Sequence, residues 1–220
     1  MIPSKLPKIW QGLAKMDKDG AQTGERMRHA ISQFAKLQRH QDWARLAGLD
    51  WDGEPLRLAA WLGRSLTSVR PKDKVHAFYF GLNNPCRGEV STLGIECGVL
   101  LRPFHGRDAW KAFAASLEDQ SAANRTVGDY ESELLDSFYQ IAYEDEENGL
   151  ANDAEYPLGL AYCICVVPDA IRLTKWNNKK ERLSDRVGVC AGFHDGDALN
   201  LGWLSAGESA VFALDLRLSC

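Results

Sequence analysis

Residues 129–169 contain the sharpest change of polarity in the chain, and they read DYESELLDSFYQIAYEDEENGLANDAEYPLGLAYCICVVPD. From Asp129 to Glu155 this stretch contains ten acidic residues and neither lysine nor arginine. From Tyr156 to Val167 it is almost wholly apolar. A segment typical of a solvated surface therefore leads directly into a segment typical of a protein core.

The acidic half predicts a helix from Asp129 to Glu144. Apolar residues recur on one face at helical spacing, and they are Leu134, Leu135, Phe138, Ile141 and Ala142. Before this helix, the polar residues from Gln120 to Gly128 predict a loop. The acidic side chains then fall on the face of the helix that points to solvent.

The apolar half predicts a second helix. Asp153 can cap its first turn, and the helix is expected to end near Val167, because Pro168 follows. A buried strand over Tyr162 to Val167 stays open as the competing interpretation. Periodicity does not separate the two within a continuous apolar run.

The N-terminal part of the chain predicts helices. Residues 1–20 form a short helix or an arm, which Ile9, Trp10 and Leu13 can anchor. Apolar residues at helical spacing then predict one long helix over 23–48. A further helix is predicted over 54–68, where a proline sits in the first turn.

Strands are predicted in the second part of the chain. Residues 74–82 are aromatic, and residues 91–101 alternate in polarity, so we expect these two to pair antiparallel. The spacing of apolar residues over 107–119 predicts a helix. A last strand is predicted over 210–218.

The clearest hairpin joins the strands 187–193 and 197–203. The apolar sets are Val187, Val189, Ala191 and Phe193 in the first strand, and Leu199, Leu201 and Trp203 in the second. A two-residue turn would place these sets on opposite faces of the sheet. The three-residue loop His194-Asp195-Gly196 places them on one face, so we predict that loop.

The order of these elements indicates an α+β protein, with N-terminal helices followed by an antiparallel sheet that has helices packed on one side. A single domain over residues 1–220 is the default for this length. Residues 1–70 could form a helical N-terminal subdomain within it. A chain of this size buries enough surface to need no disulfide or metal.

The sequence carries no sign of export or of membrane insertion. It lacks an apolar run of transmembrane length, and residues 1–8 lack the apolar region of a signal peptide. We therefore expect a cytoplasmic protein. The six cysteines are then expected to be free thiols, because a reducing compartment disfavours disulfides.

Candidate chemical sites are sparse, and the main one is His194-Asp195-Gly196-Asp197. Its imidazole and two carboxylates could form a metal site or an acid–base pair, so a small enzyme is the alternative function. A tight hairpin needs Asp-Gly in any case. The acids around Glu144 lack the spacing of a calcium loop, and Cys163-Ile164-Cys165 lacks metal-ligand spacing. We predict no catalytic residue, no metal and no cofactor.

Three segments carry a resemblance to a known class of proteins. They are His76-Ala77-Phe78-Tyr79-Phe80, Asn152-Asp153-Ala154-Glu155-Tyr156-Pro157-Leu158 and Gly192-Phe193-His194-Asp195-Gly196-Asp197. Together with the N-terminal helices, they resemble bacterial cytoplasmic immunity proteins of polymorphic-toxin systems, over about the last two thirds of the chain. The resemblance implies a protein that neutralises a toxin by binding it, and it assigns no functional residue.

The acidic residues are the predicted binding surface for such a partner. They are Glu144, Asp145, Glu146, Glu147, Asp153 and Glu155. A toxin that acts on nucleic acid needs a basic cleft, and an acidic surface can occupy it. A solvated face with no partner is the simpler alternative. We expect neither nucleic acid nor a membrane as a partner, and the oligomeric state stays open.

Overall fold

In a computed structural model of the chain, the structure describes residues 5–66, 74–82, 94–101, 124–145, 147–176, 183–193, 197–205 and 211–218. The helices are α1 (Leu6–Lys18), α2 (Thr23–Leu37), α3 (Asp42–Ala47), α4 (Glu54–Ser65), α5 (Glu133–Tyr143) and α6 (Asn152–Leu173). The strands are β1 (Val75–Leu82), β2 (Gly94–Leu100), β3 (Asn124–Glu131), β4 (Leu183–Phe193), β5 (Ala198–Ser205) and β6 (Val211–Leu218). The predicted α+β class is confirmed.

The six described strands form one sheet in the order β3-β2-β1-β4-β5-β6. The predicted antiparallel pairing of β1 with β2 is confirmed, with Phe80 opposite Cys97. The sheet is mixed rather than wholly antiparallel as predicted, because β1 and β4 run parallel whereas the other neighbours are antiparallel. Helices α5 and α6 lie between β1 and β4 in the chain, and such long connections let a chain return in the same direction.

Helix α6 is the centre of the fold. It packs on strands β1, β4, β5 and β6 on one side and on α1, α2 and α4 on the other. Most of its side chains are buried, because it is apolar on nearly every face. It has the length and composition of a membrane span, but 78% of its apolar 18-residue segment is buried inside the protein. Gly159 lets it approach β4, since a Cβ there would lie 2.6 Å from the Phe193 ring.

The helix interpretation of residues 153–167 is confirmed, but the predicted end is wrong. Helix α6 continues through Pro168 to Leu173. An internal proline removes a main-chain hydrogen bond and costs about 3 kcal/mol. Ala170 and Ile171 beyond it are fully buried, and their burial offsets that cost.

The predicted long helix over 23–48 is two helices. Helix α2 ends at Leu37, and Gln38 is extended. The Gln38 carbonyl accepts a hydrogen bond from Trp43 Nε1 at 2.8 Å. The break turns Trp43 back towards Phe34, with ring centroids 6.0 Å apart, so both rings reach the core.

The acidic stretch begins as a strand, which corrects both the predicted loop up to Gly128 and the predicted helix start at Asp129. Strand β3 pairs with β2, with Tyr130 opposite Ile95. Helix α5 starts after Ser132, whose side chain accepts a hydrogen bond from Leu135 N at 3.1 Å. Pairing with a distant strand therefore overrides the local helical pattern. The helix predicted over 107–119 lies outside the described residues.

The hairpin strands pair as the three-residue loop requires. Phe193 N donates to Asp197 O at 3.1 Å, and Ala191 lies opposite Leu199. Residues 194–196 themselves lie outside the described residues. The predicted position of Trp203 is wrong, because an irregularity at Gly202 (φ +133°) shifts the register. Leu204 takes the core position, while Trp203 lies on the other face beneath Arg186, 4.0 Å from its guanidinium carbon.

Candidate functional site

Four of the six predicted partner-binding acids are exposed around the connection between α5 and α6. Glu144, Asp145, Glu147 and Asp153 lie at or beside the turn between α5 and α6, and we call these four the acidic surface. Glu146 lies outside the described residues. The four exposed acids thus lie along one short connection between two packed helices.

The turn that carries the acidic surface is closed by hydrogen bonds. Ala151 N donates to Ala142 O at 2.7 Å, and Gly149 N donates to Asp145 O at 2.9 Å. The Asp145 carboxylate accepts from the main-chain N–H groups of Asn148 (2.9 Å) and Glu147 (3.0 Å). Those hydrogen bonds, Asn148 first, hold the pKa of Asp145 below its ordinary value.

The fold brings cationic and polar groups to the acidic surface that are distant in sequence. Arg45 of α3 pairs with Glu144, and it also pairs with Asp42 at 3.1 Å. The hydrogen bonds to Glu144 and Asp42 raise the pKa of Arg45. Asp153 accepts a hydrogen bond from Gln38 Nε2 at 2.9 Å. Within the described part of the chain, no ion pair involves Asp145, Glu147 or Asp153.

Glu155, the sixth predicted residue, is buried rather than at the surface. Only 4% of it is exposed, and it accepts hydrogen bonds from the hydroxyls of Tyr139 (3.1 Å) and Tyr143. The two tyrosines stack one helical turn apart on α5, so Glu155 ties α6 to α5. Burial, and then the Glu155 charge, raise the pKa of Tyr139. The sequence signal for this burial was the presence of two tyrosines, Tyr139 and Tyr143, on the helix that precedes Glu155.

A second buried carboxylate, Glu54, was not singled out from the sequence. It is fully buried in the first turn of α4. It accepts hydrogen bonds from Ser132 Oγ, from Tyr162 Oη at 2.9 Å and from Arg57 Nε at 3.0 Å. Burial, and then the Glu54 charge, raise the pKa of Tyr162. Arg57 belongs to α4, Ser132 caps the N-terminus of α5, and Tyr162 belongs to α6. The Glu54 carboxylate therefore links three helices.

A third charged cluster lies at the opposite end of α6. Arg26 is fully buried and bonds Asp17 at 2.8 Å, Asp169 at 2.5 Å and the Cys165 carbonyl at 3.0 Å. Arg172 bonds both Asp17 and Asp169 at 2.7 Å. Burial alone would lower the pKa of Arg172, but its hydrogen bonds to Asp17 and Asp169 raise it.

Asp17, Asp169 and Arg172 of this cluster line a groove with a volume of about 740 Å³. The groove lies between the α1–α2 turn, the first turn of α4, the end of α6 and strand β6, and we call it the β6 groove. Its volume falls within the range of small-molecule sites. No sequence pattern indicated this groove, because its walls come from four separated segments.

Asp197, from the alternative catalytic set, is held by a structural contact. The Tyr156 hydroxyl donates to Asp197, and the Tyr156 ring stacks on Phe193 with centroids 5.8 Å apart. Burial, and then the hydrogen bond to Asp197, raise the pKa of Tyr156 to about 12. His194 and Asp195, the other members of that set, lie outside the described residues.

Metal-binding and thiol chemistry have little support among the described residues. Within them, no group of three or more His, Cys, Asp or Glu side chains is placed to hold a metal ion. Cys97, Cys163, Cys165 and Cys190 are buried free thiols, and burial raises the pKa of each. A raised pKa keeps a thiol protonated and unreactive at neutral pH.

No protein family model, curated protein or solved structure matches the chain. The acidic surface, the two buried carboxylates and the β6 groove are therefore the features of the described residues that bear on function.

Proposed function

We propose that the protein is a cytoplasmic binding protein of the immunity type, which neutralises a cognate bacterial toxin by docking it on the acidic surface. The observation that carries this proposal is the exposure of Asp145, Glu147 and Asp153 at or beside one turn, without an ion pair among the described residues. Like charges held close together repel one another. A basic partner surface would relieve that repulsion.

The rigidity of the turn supports the same proposal. Leu150, within the turn, is buried, and the main-chain hydrogen bonds of Gly149 and Ala151 fix the path of the chain. A surface that is already ordered loses less conformational entropy on binding. The main chain that carries Asp145 and Glu147 therefore already follows one path before the partner arrives.

The chemistry of the acidic surface selects a cationic partner. A toxin that acts on nucleic acid needs lysine and arginine side chains to contact phosphates. An acidic surface competes for such side chains, and opposite charges accelerate the encounter. Arg45 neutralises part of Glu144, so we assign the larger contribution to Glu147 and Asp153.

The experiment is binding to the product of the neighbouring open reading frame, with purified proteins. The double variant Glu147→Lys/Asp153→Lys is expected to bind at least about tenfold more weakly, equivalent to about 1.4 kcal/mol. The matched control is Glu133→Lys/Asp185→Lys. It makes the same charge change at two exposed acids elsewhere, Glu133 at the other end of α5 and Asp185 on β4. Glu133 also matches Asp153, because both lie in the first turn of a helix.

Four outcomes would count against the proposal. Equal affinities for the two double variants would show that only the overall charge matters. No binding by the wild-type protein would exclude that gene product as the partner. A metal that co-purifies with the protein, or an activity lost in Asp197→Ala at unchanged stability, would support the enzyme alternative around residues 194–197.

A further inference from the structure

The β6 groove lies at the opposite end of α6 from the acidic surface. The 22 residues of this helix separate the two regions by about 30 Å. A partner on the acidic surface therefore leaves the groove open. What the groove could bind depends on which of its groups are already satisfied.

The apolar part of the groove is exposed. Leu56 of α4 is 60% exposed and Leu173 of α6 is 47% exposed, and both line the groove. They are the large apolar side chains that stand out as exposed within the described residues. Phe212 and Leu214 of β6 line the same space. Exposed apolar side chains that line one groove are a feature of interaction sites.

The polar wall of the groove is already satisfied internally. Arg172 is held by Asp17 and Asp169, and its guanidinium lies 5.5 Å from the centre of the Phe212 ring. Asp52 accepts a hydrogen bond from Gly24 N at 2.8 Å and pairs with Arg28 at 2.8 Å. A small charged ligand would have to displace these contacts. The wall therefore favours an occupant that uses other groups.

Those other groups are on the main chain of β6. This strand is at the edge of the sheet and pairs with β5 alone among the described strands. Phe212, Ala213 and Leu214 all line the groove, although consecutive side chains of a strand point to opposite faces. A groove lined by all three residues runs along the main chain of β6, which is the last strand in the sheet order. Edge strands present N–H and C=O groups that can pair with an added strand.

We propose that the β6 groove binds an extended segment of a partner protein, which adds to β6 as a further strand and packs an apolar side chain against Leu56 and Leu173. Strand addition obtains affinity from main-chain hydrogen bonds and specificity from alternate side chains. Lys18 is exposed on the groove wall and makes no ion pair within the described residues, so it favours an acidic residue in that segment. This proposal goes beyond the acidic surface and does not depend on it.

The probe for the test is a display library of random ten-residue peptides, selected against the whole folded protein. The enriched peptide is then synthesised, and its Kd is measured for the wild type and for Leu56→Glu and Leu173→Lys. Each introduced charge suits its position, with an acid near the start of α4 and a base at the end of α6. The variants are therefore expected to fold, and each should weaken the peptide about tenfold or more.

The matched controls are Leu56→Met and Leu173→Met, which keep the apolar surface and should keep the Kd within about threefold. A second peptide, N-methylated at alternate residues, tests the main-chain pairing. Methyl groups that replace the amide hydrogens facing β6 should make the peptide bind much more weakly than the unmodified peptide. Methyl groups on the other set of alternate residues should leave binding unchanged. The Glu147→Lys/Asp153→Lys variant should bind the peptide as the wild type does.

Several results would overturn this proposal. One is a selection that enriches no peptide, and another is a Kd unchanged in both Leu56→Glu and Leu173→Lys. A peptide that tolerates N-methylation in both registers would show that the groove binds side chains alone. A wild-type dimer in sedimentation experiments that Leu173→Lys dissociates would show that a second copy occupies the edge instead.

Discussion

Glu155 and Glu147 belong to the same acidic stretch, yet the fold uses them in opposite ways. Glu155 is buried between α5 and α6, where two tyrosine hydroxyls hold its carboxylate. Glu147 is exposed on the turn that joins those helices. A buried carboxylate is tolerated only where hydrogen bonds replace water. The tyrosine hydroxyls on the facing helix therefore determine which glutamate is buried. The acidity of the surrounding sequence does not, because both glutamates lie in the same acidic stretch.

Helix α2 repeats the contrast with cations. Arg26 faces α6 and is fully buried between Asp17 and Asp169. Arg28 lies on the outer side of the same helix and pairs with Asp52, where both side chains are about half exposed. In each pair, the buried residue is expected to support the fold, and the exposed one is available for other uses.

The largest expected effect is on the two arginines. Arg26→Leu should lower the free energy of unfolding by about 3–5 kcal/mol, because it leaves two carboxylates without their buried cation. Arg28→Leu should lower it by less than about 1 kcal/mol. Urea denaturation followed by tryptophan fluorescence measures both. Similar losses in the two variants would contradict the assignment of Arg26 to the core.

The next effect sharpens the comparison within the acidic stretch. Glu155→Gln should cost about 1–3 kcal/mol, because a neutral amide is a weaker acceptor for two buried hydroxyls. Glu147→Gln should change the stability by no more than about 0.5 kcal/mol. Thermal denaturation of the two variants beside the wild type provides the comparison. Equal stability of both variants would mean that Glu155 is not held as described.

A smaller effect should appear at alkaline pH. Burial and Glu155 raise the pKa of Tyr139 in the folded state above its ordinary value of about 10. Its stabilising contribution is thus complete below pH 10 and is lost as the pH rises from there through the folded pKa. The expected loss is about 1 kcal/mol per pH unit for one such group.

Tyr139→Phe is the variant that isolates this contribution. It should make the decline in unfolding free energy between pH 10 and pH 11 shallower by about that amount. Denaturant titrations at the two pH values measure the slope. An unchanged slope in Tyr139→Phe would assign the alkaline loss to other buried groups, such as Tyr162, whose pKa is also raised.

Local sequence patterns were sufficient to predict much of the fold. Period-two alternation located β2, and the pairing of apolar faces favoured the alignment of Phe193 with Asp197. The errors came from long-range packing. Strand β3 forms because β2 is beside it, and α6 passes Pro168 because the residues beyond it are buried.

The candidate site was less predictable than the fold. The exposed positions of Glu144 and Glu147 followed from their place after an amphipathic helix. The pairing of Glu144 with Arg45 could not be foreseen, because α3 and α5 meet only in the folded chain. The β6 groove has four separated segments as walls, so no window of the sequence contains it.

The most direct test of the acidic surface is the association rate constant with the product of the neighbouring open reading frame. We expect Glu147→Lys/Asp153→Lys to associate about tenfold more slowly than Glu133→Lys/Asp185→Lys at low ionic strength. The difference should shrink as salt screens the charges. Equal rate constants for the two double variants, or a difference that salt leaves unchanged, would contradict docking on the acidic surface.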